Sequence, residues 1–386
     1  MFGLSSARAI VLGFMAALLI GGGVPSARAQ SNTPAPSYLE IPLKGTFGED
    51  FNAAGVHAAL KHAKSKSIPH IVFTIDSPGG VVVDANAIAA AMDEFDADFI
   101  YTCVITKAYS ASIWVMSRCD NIFFAEGAAS GAAVAFSTDT DTGSAKVDAK
   151  LNSALASSLG AAAEKRGHPG LIFQAMILPE LEVYVITEAD GKRKFVGTEP
   201  AKGTNFEVLD RQGQILSLTA NDAVRIGLAR SLPKADVKLV GPAMGIGRWT
   251  STDNTGIDQM KKTKQRNDNF AREVESLDKR LTRIDEDLTK AFDRLRRDIA
   301  RAQATAQRDP LMAKGPWRDA KSSLDEIGML ERDATALLKS RRFKVMDWYK
   351  FRRLNPAPEV EEVKTVDLGI DKDEIYRLIN AGLAVQ

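Results

Sequence analysis

Cysteine and histidine are scarce: the 386 residues hold two Cys and four His. Two thiols cannot staple a disulfide-dense scaffold, and so few soft ligands cannot build a zinc framework. A charge excess is missing as well. Lys and Arg total 50 against 49 for Asp and Glu, so the chain lacks the basic surplus of a nucleic-acid-binding protein. Beyond residue 29 no run is long and apolar enough to span a bilayer. What is present, 45% hydrophobic and 26% charged residues, is ordinary globular composition and excludes a wholly disordered chain. The length suggests two or three domains.

The first 29 residues read as a signal peptide. Arg8 precedes an apolar run from Ile10 to Val24, Pro25 breaks it, and Ala27-Arg28-Ala29 forms an A-x-A cleavage site. The run is short against the ~20 residues that cross a membrane, so cleavage is expected rather than an uncleaved anchor. Removal leaves 48 basic against 49 acidic residues. The expected location is periplasmic or secreted, or membrane-anchored if the segment stays.

From Tyr38 strands and helices alternate. Tyr38–Pro42, the apolar run Ile71–Ile75, Phe99–Ile105 and Ile122–Ala125 read as strands. Helical spacing falls at Ala53–Lys64, Asp84–Phe95 and Ser110–Ser117. This order predicts βαβ crossovers and a parallel sheet. Asp148–Lys165 is an Ala-rich helix stopped by Gly167 and Pro169. Asp190-Gly191 marks a hairpin between Glu182–Ile186 and Arg193–Val196. Thr219 is placed to N-cap a helix Ala220–Ile226 that Gly227 ends. Residues 241–256, rich in Gly, Thr and Asn, read as a linker. Phe270, Val274, Leu277, Leu281, Ile284 and Leu288 then step by four and three; Phe292, Leu295, Ile299 and Ala302 resume the seam after a stutter. A Pro/Gly break at 309–316 and a second helix, Trp317–Trp348, predict an antiparallel coiled-coil hairpin over residues 257–352. A tail, 353–386, carries one short amphipathic helix from about Lys372 to Gly382.

Two segments carry chemistry. Asp76-Ser77-Pro78-Gly79-Gly80 follows the buried strand Ile71–Ile75, the end of a parallel sheet where ligands bind. Paired glycines let backbone N–H groups approach a ligand closely. Lys107-Ala108-Tyr109-Ser110-Ala111-Ser112 likewise follows a strand and opens a helix. A Ser there gains from the helix dipole, and the next N–H can help hold an oxyanion.

These motifs, with Arg118-Cys119-Asp120-Asn121-Ile122, Ala129-Ser130-Gly131-Ala132 and the Leu216–Ala229 segment, resemble the Clp/crotonase-like serine peptidases. The resemblance is greatest to NfeD-type proteases and signal peptide peptidase A, and it covers about residues 38–240. It implies an α/β fold: a Clp/crotonase-like ββα-unit domain, here followed by the α-helical hairpin. It also implies a serine endopeptidase acting through an acyl-enzyme, with Ser110 as nucleophile because it lies ten residues before Asp120. No His occurs between His70 and His168, so a Ser-His-Asp triad built on Ser110 with the Clp spacing is excluded. The related Ser/Lys enzymes use Lys. Counting back from Arg166-Gly167 assigns that role to Lys150, with Lys146 the neighbouring alternative. Desolvation must lower the pKa of such a Lys by several units. The N–H groups of Gly79 or Gly80 and of Ala111 would hold the oxyanion. One departure stands out: Ser112 occupies a position that is usually Gly in the family. The competing expectation is a catalytically degenerate scaffold whose coiled coil binds proteins.

The expected partners are a peptide or protein substrate, a membrane protein among the candidates, and further copies of the chain in a homo-oligomer. Nucleic acid, metal and cofactor are not expected. Cys103 and Cys119 fall at the same end of adjacent strands and read either as a disulfide or as two buried thiols. His57 and His62 read as surface residues, and His168 has no partner in sequence.

Overall fold

The computed structural model describes residues 36–134, 145–339 and 368–384; the expected leader, 1–29, lies outside them. The chain opens with β1 (Ser37–Phe47), α1 (Ala53–Ser65), β2 (His70–Gly80), α2 (Val82–Glu94) and β3 (Ile100–Tyr109). A 3-10 turn, Ser110–Ser112, leads into α3 (Ile113–Met116) and β4 (Asn121–Gly131). The strands β1, β2, β3 and β4 lie side by side in that order and run parallel. Their apolar runs are buried on both faces, as Ile71, Val72, Phe73 and Ile75 illustrate. On one face Ile71, Phe73 and Tyr101 pack with Val56, Leu60 and Ile88 of the helices. On the other, Val72, Val104 and Phe123 pack with Leu232, Val237 and Val240.

The strands run further than the apolar runs alone indicate. β2 continues through Asp76–Gly80, where Thr46 pairs with Gly79 and Phe47 with Gly80. Register shifts fall at Lys44/Thr46, Ile75/Asp76 and Ile105/Lys107, one in each of three neighbouring pairings and at about the same level of the sheet. Bulges of this kind bend strands and re-aim the residues beyond them. Pairing therefore extends past the point where hydrophobicity stops.

Next come α4 (Ala145–Lys165), α5 (Gly170–Ala175), and β5 (Val183–Thr187), β6 (Arg193–Val196) and β7 (Phe206–Asp210), which form a separate antiparallel sheet. The Asp190-Gly191 turn joins β5 to β6 as expected, with Thr187 opposite Arg193. The third strand, β7, was not apparent in the pattern. β8 (Ser217–Thr219) adds antiparallel to β4, and α6 (Ala220–Arg225) follows. Thr219 caps α6 in a reciprocal capping box with Asp222, and Gly227 sits just past the helix at φ +76°. β9 (Arg230–Leu232) returns to β4.

Residues 241–256, read as a linker, are folded onto the sheet. They hold most of α7 (Val240–Ala243) and all of β10 (Thr250–Ser251), which pairs with Ser37 and Tyr38. Trp249 stacks on Tyr38 with centroids 4.7 Å apart, and its burial contributes more than the two-residue strand.

α8 (Thr255–Ala306) is one 52-residue helix, about 78 Å long. Its first turns dock on the sheet domain. Met260 joins the main core, and a Cβ on Gly55 would lie 2.3 Å from Thr263 Oγ1. Farther along, α9 (Lys314–Leu338) runs back against it. Arg294 pairs with Glu326, Ser323 donates to Asp298, and Arg301 faces Asp319, so partners descend on one helix as they climb on the other. Leu277, Leu281, Leu288, Leu295 and Ala302 are buried in this seam; Ile284, Phe292 and Ile299 are partly buried against it. Phe270 stays 36% exposed, because it precedes the part of α8 that α9 reaches.

The tail helix α10 (Lys372–Leu383) makes this a three-helix unit rather than a bare hairpin. Lys372 pairs with Glu331, Tyr376 donates to Asp325, and Gly382 rests on the Trp317 indole. Ile379 is fully buried there, worth about 1.5–3 kcal/mol. The expected end of the second helix, beyond Lys339, lies outside the described residues.

Candidate active site

Ser110 sits where β3 gives way to the 3-10 turn. Its φ is +52°, a left-handed conformation that side chains other than glycine rarely adopt. Ser67 and Ala132 are the other non-glycine residues at positive φ among those described. Such strain persists only where the surroundings enforce it, and it collects at functional sites. Here the enforcement is visible. Ala111 and Ser112 are fully buried, and Trp114 Nε1 donates to Asn86 Oδ1 of α2 at 2.6 Å, fixing α3 behind the turn.

Gly79 faces Ser110 from β2, and Gly80 next to it backs onto Phe47 of β1. Gly79 (φ +112°) and Gly80 (φ +144°) both hold conformations that disfavour a side chain. A Cβ on Gly79 would lie 2.5 Å from the Ser110 Cβ and 3.0 Å from its Oγ. On Gly80 it would lie 2.5 Å from the Phe47 backbone. Ser110, Ala111, Gly79 and Gly80 are thus brought together. The Gly79 N–H is already engaged: it donates to Ser77 Oγ at 3.1 Å, and that hydroxyl is fully buried. Sequence reasoning gave Ser77 no role. A hydroxyl two residues before a glycine was the available signal, since Ser side chains readily bond local backbone.

Lys150 stands in the second turn of α4 with its side chain exposed. No hydrogen bond joins it to Ser110 among the described residues. The described residues leave its side chain in solvent. The side chain of Lys146 lies outside the described residues. Ser112 is accommodated without exposure, and its Oγ has no hydrogen-bond partner among the described residues.

The far end of α4 is pinned to the sheet. Arg166 is largely buried and pairs with Asp96 and, at 2.8 Å, with Asp120, and its guanidinium lies 5.6 Å from the Tyr101 ring centroid. Asp120 also accepts from the Tyr101 N–H at 2.7 Å. The two residues used as counting marks for Ser110 and Lys150 are in direct contact. Replacing Arg166 with Met leaves Asp96 its second partner, Lys165 at 2.6 Å, but takes the ion pair from Asp120, and the expected cost is about 1–3 kcal/mol in urea unfolding. An unchanged midpoint would mean the pairing is idle.

His168 has a partner after all: its Nε2 donates to the Cys119 carbonyl oxygen at 2.8 Å. Burial holds its pKa below the ordinary His value, ahead of the opposing pull of that bond and of Asp120. The unfolded chain therefore takes a proton near pH 6.5 that the folded chain refuses. Stability should fall as pH drops below about 6.5, by up to about 1.4 kcal/mol per unit from this residue. His168→Gln should show a shallower loss between pH 7 and 5.5. Equal slopes would place the titration elsewhere.

Cys103 and Cys119 are free, fully buried thiols. Burial pushes the Cys119 thiol up, with Cys103 beside it adding to the shift. His57 and His62 lie at the surface as expected, each beside a carboxylate: Glu94 at 3.1 Å and Asp253 at 2.8 Å. No cluster of three or more His, Cys, Asp or Glu suited to a metal exists among the described residues. Nor does any described helix have the length and apolarity to cross a membrane.

The family model described as NfeD1b, N-terminal domain, matches residues 38–207. No curated protein matches the chain. Two similar solved structures are of the 1510-N membrane-bound stomatin-specific protease. One is a Ser-to-Ala mutant, 15% identical, covering 53% of this chain and 83% of that one, with a TM-score of 0.38. The other is a Lys-to-Ala mutant in complex with a substrate peptide, 15% identical, covering 53% and 78%, also at 0.38.

Proposed function

We propose that residues 38–207, an NfeD-type, Clp-like domain, work as a serine endopeptidase with Ser110 as nucleophile and Lys150 as general base. The observation that carries this reading is the backbone of Ser110, a side-chain-bearing residue at φ +52° heading a helix directly against Gly79. In this mechanism Ser110 Oγ attacks the substrate carbonyl carbon while Lys150 Nζ takes its proton. The tetrahedral intermediate collapses as that proton passes to the leaving amine. Water then attacks the acyl-enzyme ester and frees Ser110. The N–H groups of Gly80 and Ala111 serve the oxyanion. Gly79, whose N–H is held by Ser77, shapes the approach to Ser110.

An ammonium in water is a poor base near neutral pH. Lys150 works once substrate or a second copy of the chain covers it, which fits the expected homo-oligomer. Export by residues 1–29 would put the activity in the periplasm or outside the cell, on peptides or proteins, membrane proteins among them. The exposure of Lys150 is also what favours the second reading, a degenerate scaffold whose helical module binds partners. Hydrolysis of an apolar peptide library by the chain and its Lys150→Ala variant separates the two. The peptidase reading expects a loss of at least about a hundredfold in the variant, the share general-base catalysis supplies. Undiminished activity would remove Lys150 from the mechanism. No activity in the parent chain would leave the scaffold.

A further inference from the structure

A groove away from Ser110 opens between the outer edge of β1 and the first turns of α8, with a volume of about 400 Å³. Pro42, Phe51, Ile257 and Met260 form its floor. Lys44, Lys261 and Lys264 stand around it with one carboxylate, Asp50. The sequence places this pattern on one helix face, since 257, 260, 261 and 264 recur at i, i+3, i+4 and i+7. On the facing side β1 has no strand neighbour beyond Tyr38, because β10 pairs only with Ser37 and Tyr38.

The charges are unevenly spent. Asp50 is saturated: one oxygen takes Lys264 and the other accepts the Thr46 N–H at 2.8 Å. Lys44 and Lys261 are exposed and have no ion-pair partner among the described residues. An apolar slot within the size range of small-molecule sites thus carries two unpaired cations at its mouth. At roughly 30 Å³ per small group it takes about a dozen non-hydrogen atoms.

We propose that this groove binds a medium-chain fatty carboxylate, its chain over Phe51, Ile257 and Met260 and its head between Lys44 and Lys261. The proposal does not depend on the peptidase reading. The chain would also lie where Asp50 and Phe51 meet the Thr46–Phe47 segment that pairs with Gly79 and Gly80.

Calorimetric titration of the full chain with decanoate, decyltrimethylammonium and N-acetyl-leucyl-leucine tests it. Decanoate should bind at least tenfold more tightly than the other two. The Lys44→Gln/Lys261→Gln double variant, altered only at exposed positions, should bind decanoate about tenfold more weakly. Met260→Trp, which intrudes on the floor, should weaken it further, with its fold checked by circular dichroism. Absent decanoate binding would overturn the proposal. So would equal binding of the cation, tighter binding of the peptide acid, or an unchanged affinity in the lysine variant.

Discussion

Ser110→Ala is expected to remove peptide hydrolysis by at least a thousandfold while leaving the fold intact. Loss of a nucleophile stops the acyl-enzyme route outright, and what survives is the weak contribution of binding and oxyanion donors. The fold should tolerate the change because Ser110 is only partly buried. Its left-handed backbone is equally awkward for Ala, so stability should shift by no more than about 1 kcal/mol. Steady-state hydrolysis beside a urea melt reads both quantities. Activity retained in Ser110→Ala would mean that another group attacks.

Gly79→Ala is the second large effect. The new methyl would lie 2.5 Å from the Ser110 Cβ, at a φ of +112° that no Ala adopts without strain. Either the 3-10 turn moves or β2 retreats from it, and both change the position of Ser110 relative to Gly79. Misplacement on the ångström scale costs about a hundredfold, so at least that loss in kcat/KM is expected, with about 1–3 kcal/mol of destabilisation. Gly127→Ala supplies the control. Gly127 also has positive φ, +75°, but nothing lies within 4 Å of its added Cβ. It should cost about 1 kcal/mol and leave kcat/KM alone. Equal activity loss in both variants would trace the effect to strain rather than to contact with Ser110.

The parts of this fold that sequence makes legible are those where one local signal suffices. Ile71–Ile75 is a buried strand because five successive residues suit no solvent-facing element. Asp190-Gly191 is a hairpin turn because the glycine supplies the positive φ the turn needs, here +82°. Thr219 caps α6 because its oxygen can reach the Asp222 N–H three residues on. That Ser110 and the Gly79-Gly80 pair each follow a strand is legible in the same way, and the structure adds the contact between Gly79 and Ser110.

Features that depend on distant partners were not legible. β10 is two residues long and exists because Tyr38 offers an edge and Trp249 a stacking surface. The extension of β2 through Gly80 depends on a shift in β1 at Lys44/Thr46. α10 has an apolar face readable from Ile375 and Ile379, but nothing local says that Trp317 will receive Gly382. The bond from His168 to Cys119 joins residues 49 apart. Lys150 teaches the same lesson in reverse. The Ala, Leu and Ser residues of its helix have a composition that could bury an ammonium. Ala156 and Leu159 are buried while Lys150 and Leu151 are exposed, so the helix turns its apolar face to the core and Lys150 away from it.

Acylation of Ser110 is the step on which the proposed peptidase activity stands. A peptide p-nitrophenyl ester mixed with the chain, quenched in acid within the first turnover and digested for mass spectrometry, tests it directly. One acyl group is expected on the peptide containing Ser110, present at early times, lost as turnover ends and missing in Ser110→Ala. Turnover with the acyl group on another residue, or with Ser110 unmodified throughout, would contradict it.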